Sequence, residues 1–154
     1  MSSNLPPPVS VRIPAEARIA IAAARFNGGI VSELLAGCLR RLADLGVEED
    51  RISVHHVPGA FELPLAAKLL AGSREFAAVI CLGCVIRGQT PHFEFVAGEC
   101  ARGIQDVALA ESLPVIFGVL TTETEQQAKD RLGAGERAAD AAAEMIALRT
   151  RLRG

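Results

Sequence analysis

The sequence has no tryptophan and no tyrosine among its 154 residues, and only six phenylalanines. Any aromatic wall for a ligand must therefore be built from phenylalanine, which brings no hydroxyl or indole N–H of its own. Long apolar runs are also missing. None reaches the roughly 18–20 residues that a bilayer-spanning helix needs, so no membrane segment is expected. Neither sign of charge dominates: 16 Lys and Arg stand against 18 Asp and Glu, a formal net charge of −2. A broad nucleic-acid surface would need a basic excess. The four cysteines, Cys38, Cys81, Cys84 and Cys100, sit inside apolar patterns. That fits reduced, buried thiols and a cytoplasmic location rather than a disulfide framework. The opening MSSNLPPPVSVRIP has no basic flank before an apolar core, so residues 1–16 read as a flexible lead and not as a signal peptide. Walker and dinucleotide glycine fingerprints are absent as well.

What is present is a regular alternation of elements in one domain, residues 17–154, with half of the whole chain hydrophobic. RIAIAAA (18–24) is a short apolar run and reads as a buried strand. Ile30, Leu34, Leu35, Cys38, Leu39, Leu42 and Leu45 follow at helical spacing, closed by Gly46. ISVHHV (52–57) reads as a second strand, and FELPLAAKLLA (61–71) as a helix with Gly72 just beyond its end. FAAVICLGCVI (76–86) is a third strand, and a long helix is expected over 91–110. LPVIFGVLT (113–121) is a fourth strand, TEQQAKDRL (124–132) a short helix, and ERAADAAAEMIALRTRL (136–152) a last helix with an alanine face. Strands apolar on both faces go with helices on both sides of a parallel sheet. The fold expected is a three-layer α/β/α sandwich with a four-stranded parallel sheet, of flavodoxin-like type. Such sheets bind ligands beyond the carboxyl ends of their strands.

The loops at those ends hold a selected set of residues. Arg25, Phe26 and Asn27 follow the first strand; Ala60, Phe61 and Glu62 follow the second; Phe117 lies in the fourth. Three of the six phenylalanines thus fall at or near the ligand edge, where each either stacks on a flat ligand or plugs the end of the core. Glu62, at a helix start, either pairs with the helix dipole or accepts hydrogen bonds from a ligand. After the third strand comes RGQTPHFE (87–94). Thr90 is a good N-cap and Pro91 suits the first helical position. Amides around Gln89 and Thr90, with Gly88 allowing close approach, can hold a small phosphate; a plain capped helix explains the same residues. His92 then occupies the second helical position, beside the proposed anion, where an imidazole suits proton transfer. The Cys81–Cys84 pair has CxxC spacing but ends a strand rather than starting a helix, and His55 and His56 alternate across a strand; both pairs read as structural.

Taken together, ARFN, VPGAFELPLAAK, GCVIRGQTPHFEFVA and PVIFGVLTTETEQQAKDR, in this order over roughly residues 17–150, resemble the lumazine synthase family of riboflavin biosynthesis. The resemblance implies condensation of 5-amino-6-(D-ribitylamino)uracil with 3,4-dihydroxy-2-butanone 4-phosphate to 6,7-dimethyl-8-ribityllumazine, phosphate and water, without a cofactor or metal. It implies that Phe26 stacks on the pyrimidine and that Ala60, Phe61 and Glu62 hold the ribityl chain. Cys84, Val85 and Ile86 would offer backbone contacts to the uracil, and Phe117 would close the aromatic wall. Gln89, Thr90 and Arg131 would hold the phosphate, and His92 would move protons. It further implies pentamers whose sites lie between subunits, with Phe117 and Arg131 reaching into a neighbour's site. Decamers or a 60-subunit capsid, and riboflavin synthase as a partner, are the wider possibilities. Three departures stand out. Gln89 replaces a usual acidic or small residue, the linker before the last helix is short with Ala134 where a lysine aligns, and Arg137 falls near a usual glutamate. They keep open a second reading, a flavin- or lumazine-binding or shell protein without turnover. A phospho-receiver of the same fold class would need an acidic cluster after the first strand, and RFNGG has none.

Overall fold

The central strand explains much of the architecture. In the computed structural model, which describes residues 5, 7 and 11–153, β1 (Ile19–Ala24) is buried at all six positions. Ile19, Ile21 and Ala23 face one apolar cluster while Ala20 and Ala22 face another. The same two-residue period runs through β3 (Ala78–Ile86), where Ile80, Leu82 and Cys84 join the first cluster and Val79 and Cys81 the second. A strand apolar on both faces needs cover on both. α1 (Gly28–Asp44) and α5 (Ala134–Arg153) supply it on one side, α2 (Leu63–Gly72) and α3 (His92–Glu111) on the other.

All four strands are parallel, in the order β2-β1-β3-β4, with β2 spanning Ile52–Val57 and β4 Val115–Thr122. This is the expected flavodoxin-like three-layer sandwich. The chain moves outward from β1 to β2, then returns across β1 to β3. The crevice at that reversal, outside the carboxyl ends of β1 and β3, is where such sheets place their ligands. The edge strand β2 is half-exposed throughout, which is why its pattern ISVHHV is more polar than that of β1 or β3.

The alanine face of α5 packs within its own chain. Ala138, Ala139, Ala142 and Ala143 are buried in the α1 cluster. Gly135 comes so close to α1 that a methyl added there would lie 2.1 Å from the Leu34 carbonyl oxygen. Small residues permit this approach, and Arg41 to Asp140 at 2.6 Å ties the two helices at their rim.

Several boundaries differ from the sequence reading. The second helix is preceded by a separate tight turn, Ala60–Glu62, and begins at Leu63; Gly72 lies in its last turn rather than beyond it. α4 is shorter than expected, Glu125–Lys129: Thr124 is its cap, with the Gln127 N–H donating to Thr124 Oγ1 at 3.1 Å and Gln127 Oε1 accepting from the Thr124 N–H at 3.2 Å, and the chain leaves the α-helix at Asp130, where the Arg131 N–H donates three residues back to the Ala128 carbonyl. Half of the expected lead, residues 1–16, lies outside the described residues. Within the described part Ile13 is buried, and its N–H donates to the Leu45 carbonyl at 2.9 Å.

Candidate active site

Three strand ends are laced together by backbone bonds. The Arg25 N–H donates to the Val57 carbonyl at 2.8 Å and the Phe26 N–H to the Pro58 carbonyl at 3.0 Å. Asn27 adopts a left-handed conformation, φ 58, which asparagine tolerates better than most residues. From there its side-chain amide donates to the Cys84 carbonyl at 2.8 Å. Loops after β1, β2 and β3 therefore form one unit. The Gly59 N–H donates to Glu62 Oε2 at 3.0 Å, which closes the turn before α2 and occupies one oxygen of that carboxylate locally.

These loops wall a cleft of about 580 Å³. Of the residues singled out from sequence, Phe26, Ala60, Phe61, Glu62, Cys84, Val85, Ile86, Thr90 and His92 line it. Gln89 does not, although its neighbours Gly88 and Thr90 do. Phe26 and Phe61 are 72% and 59% exposed, so neither plugs the end of the core; each stands as a ring offered to the cleft. Asn27, named at the end of the first strand but given no role, also lines it, as do Phe93 and Phe95, which were not singled out. HFEF (92–95) placed two more rings beside the candidate histidine, and Asn27 stood directly before a glycine-opened helix; either was a readable signal.

The start of α3 is one residue later than the sequence reading placed it. Pro91, φ −70 and ψ 6, is the cap, and His92 is the first helical residue rather than the second. The Glu94 N–H donates to the Pro91 carbonyl at 3.1 Å, three residues back, so the first turn is tight. Thr90 Oγ1 still faces the helix start, 3.5 Å from the His92 N–H nitrogen.

Phe117 and Arg131 lie elsewhere. They line a second cleft of about 540 Å³ along β4, between that edge strand and the α4–α5 segment. Phe117 is 42% exposed there. The Arg131 guanidinium donates to the Gln127 carbonyl at 2.8 Å, which holds it on α4. Arg137, in the first turn of α5, also lines this cleft and folds over Gly133.

Burial keeps the thiols protonated. It pushes Cys84 up to about 11, with the nearby Glu125 charge adding to the effect, and Cys38 and Cys100 up to about 12. Cys81 is raised further, first by burial and then by Cys100. All four are free and buried, so the CxxC pair is packing, as its strand position implied. His55 lies on the β2 edge with its Nε2 2.7 Å from Ser53 Oγ. Among the described residues no helix is long and apolar enough to cross a membrane.

An α/β sandwich with an aromatic cleft at its topological switch point, and a histidine at the adjoining helix start, has the architecture of a small-molecule site. Residues 16–150 match the sequence model of a family described as 6,7-dimethyl-8-ribityllumazine synthase. With nearly the whole chain matched, the chain belongs to that family of transferase-type enzymes of riboflavin biosynthesis.

Proposed function

We propose that this chain condenses 5-amino-6-(D-ribitylamino)uracil with 3,4-dihydroxy-2-butanone 4-phosphate, giving 6,7-dimethyl-8-ribityllumazine, phosphate and water. The observation that carries the reading is the meeting of Phe26, Phe61, Glu62, Thr90 and His92 in one cleft of a family member. Phe26 stacks on the pyrimidine. Ala60, Phe61 and Glu62 hold the ribityl chain, and the backbone at Cys84, Val85 and Ile86 reads the uracil edge. Gln89, which does not line the cleft, contributes through its backbone at the turn, and Thr90 contributes its hydroxyl; together they cradle the phosphate.

The chemistry needs few groups. Amine attack on the ketone gives a carbinolamine, and its hydroxyl must leave as water, which takes a proton donor. Expulsion of phosphate takes a base for the adjacent carbon-bound proton and a stabilised leaving anion, and attack of the ribitylamino nitrogen on the carbonyl that results closes the second ring with loss of a second water. One imidazole beside an anion cradle serves these steps in turn, for about 10²–10⁴-fold in rate. Aligning two substrates contributes about 7–11 kcal/mol where the fit is good.

In this reading the site is completed by a second copy, whose Phe117 closes the aromatic wall and whose Arg131 reaches the phosphate. The open β4 edge beside those residues supports this. The assembly is a cytoplasmic homopentamer, alone or built up into a decamer or capsid, with riboflavin synthase as candidate partner. The test mixes purified protein with both substrates and follows lumazine absorbance and phosphate release together. Product above the spontaneous background is expected. Binding without product would instead establish a carrier or shell protein, the alternative raised by the short segment before α5, which begins at Ala134.

A further inference from the structure

Arg87 is the first residue beyond β3, and its N–H donates to the Thr122 carbonyl at 2.9 Å, extending the β3–β4 ladder by one rung. Its guanidinium serves three partners at once. Nη1 bonds the Glu94 carboxylate in the first turn of α3, and Nε meets Glu123 Oε2 at 2.7 Å, just after β4. The flat face lies over the Phe93 ring, 4.5 Å from its centroid. Phe93 lines the cleft that holds Phe26 and His92, whereas Glu123 lines the cleft that holds Phe117 and Arg131. Arg87 itself lines neither, and with two carboxylates on one guanidinium it is poorly placed to serve as a phosphate ligand.

The span from Arg87 to Glu94 encloses Gly88, Gln89, Thr90, Pro91 and His92. A turn that contains glycine, whose cap residue Pro91 makes no side-chain bond and whose one side-chain bond to the helix start is the long His92 N–H to Thr90 Oγ1 contact at 3.5 Å, has little else to fix it. We infer that Arg87 is a positioning residue: it closes this turn across its base, and so sets where the Thr90 hydroxyl and the His92 ring stand relative to the ring-binding part of the cleft. The inference rests on the function proposed above only for its kinetic arm. Lysine cannot replace it, because an ammonium lacks both the two-pronged donor geometry and the flat face.

Arg87→Lys and Glu123→Gln separate the possibilities. Arg87→Lys should lower kcat by about tenfold to a hundredfold, the scale of a misplacement near 1 Å. It should raise KM for the butanone phosphate, leave KM for the uracil substrate within about twofold, and barely move Tm, since exposed ion pairs add little stability. Glu123→Gln, which removes one arm of the fork, should show the same split more weakly. The ring resonances of His92 should shift in the NMR spectrum of unliganded Arg87→Lys, while those of His55 and His56 stay in place. Wild-type kinetics with an unmoved His92 signal would overturn the inference, as would equal rises in both KM values with a parallel loss of Tm. If the wild type makes no lumazine, the proposed function fails, and the His92 resonance alone decides on Arg87.

Discussion

The cleft around Phe26 and His92 is walled by turns that follow three adjacent strands, cross-bonded through the Val57, Pro58 and Cys84 carbonyls. The cleft around Phe117 and Arg131 lies along β4, beyond which no strand pairs among the described residues, and its other wall is a five-residue helix and the first two turns of α5. The first is fixed by backbone geometry within one sheet. The second depends on side chains along an edge, and its exposed Phe117 is left for something outside the chain to cover. A site shared between copies would need that division: one half rigid enough to orient the chemistry, the other carried on a surface that docks.

The largest effect should come from the first half. His92→Ala should cut turnover by about 10²–10⁴-fold while changing the affinity for the ribitylaminouracil little, since the stacking and backbone contacts remain. Stopped-flow lumazine formation and equilibrium titration check the two together. Full turnover in the variant would remove His92 from the chemistry and leave the cleft a binding site alone.

Next comes complementation. His92→Ala damages one half and Arg131→Gln the other. In assemblies of both chains mixed evenly, about a quarter of shared sites combine two intact halves. Co-expression should therefore restore roughly that fraction of wild-type activity. If the mixture gives only the average of its two parents, the clefts do not belong to a common site.

The same contrast explains what could be read from the sequence. Phe26, Ala60, Phe61 and Glu62 followed from the strand ends, because short apolar runs show where each strand stops, and Thr90 and His92 from the helix start, whereas Cys84, Val85 and Ile86 were reached through family likeness. Arg131 was reached through family likeness, since nothing in its local pattern says which surface meets it, and Phe117, expected at the ligand edge, lies within β4 opposite Cys81 and joins the second cleft instead. The cap of α3 was misplaced by one residue because Thr90-Pro91 satisfies two registers, and proline chose the tighter one. Arg137 in the second cleft had no readable signal, as it depends on where α5 begins.

A smaller effect should come from the scaffold of the second cleft. Gly135→Ala puts a methyl 2.1 Å from the Leu34 carbonyl oxygen, so α5 must shift away from α1. Overpacking of this kind costs about 1–3 kcal/mol. Chemical denaturation should show that loss. Because Ala134, Arg137 and Ala138 line the second cleft and α5 contributes nothing to the first, ligand contacts at Arg131 should suffer while stacking at Phe26 persists. Equal losses at both clefts would mean they are not mechanically separate.

The smallest effect concerns acid. Hydrogen bonding to Arg87 holds the Glu94 carboxyl below the ordinary glutamate range, aided by a backbone bond, and Lys68 and Arg102 do the same for Glu111 and Glu99. A carboxyl lowered on folding contributes stability that is fully present above its unfolded value, about 4.3, and is lost as pH falls through the lower folded value. All three pairs lie on α2, α3 or the turn before α3, the side of the first cleft. Tm should therefore be flat above about pH 5 and decline below about pH 4.3. Glu94→Gln should make that decline shallower, and salt near 1 M should weaken the contribution because the pairs are exposed. An acid decline of the same slope in Glu94→Gln would show that the acid limb is carried by Lys68–Glu111 and Arg102–Glu99 and not by the pair at the His92 turn.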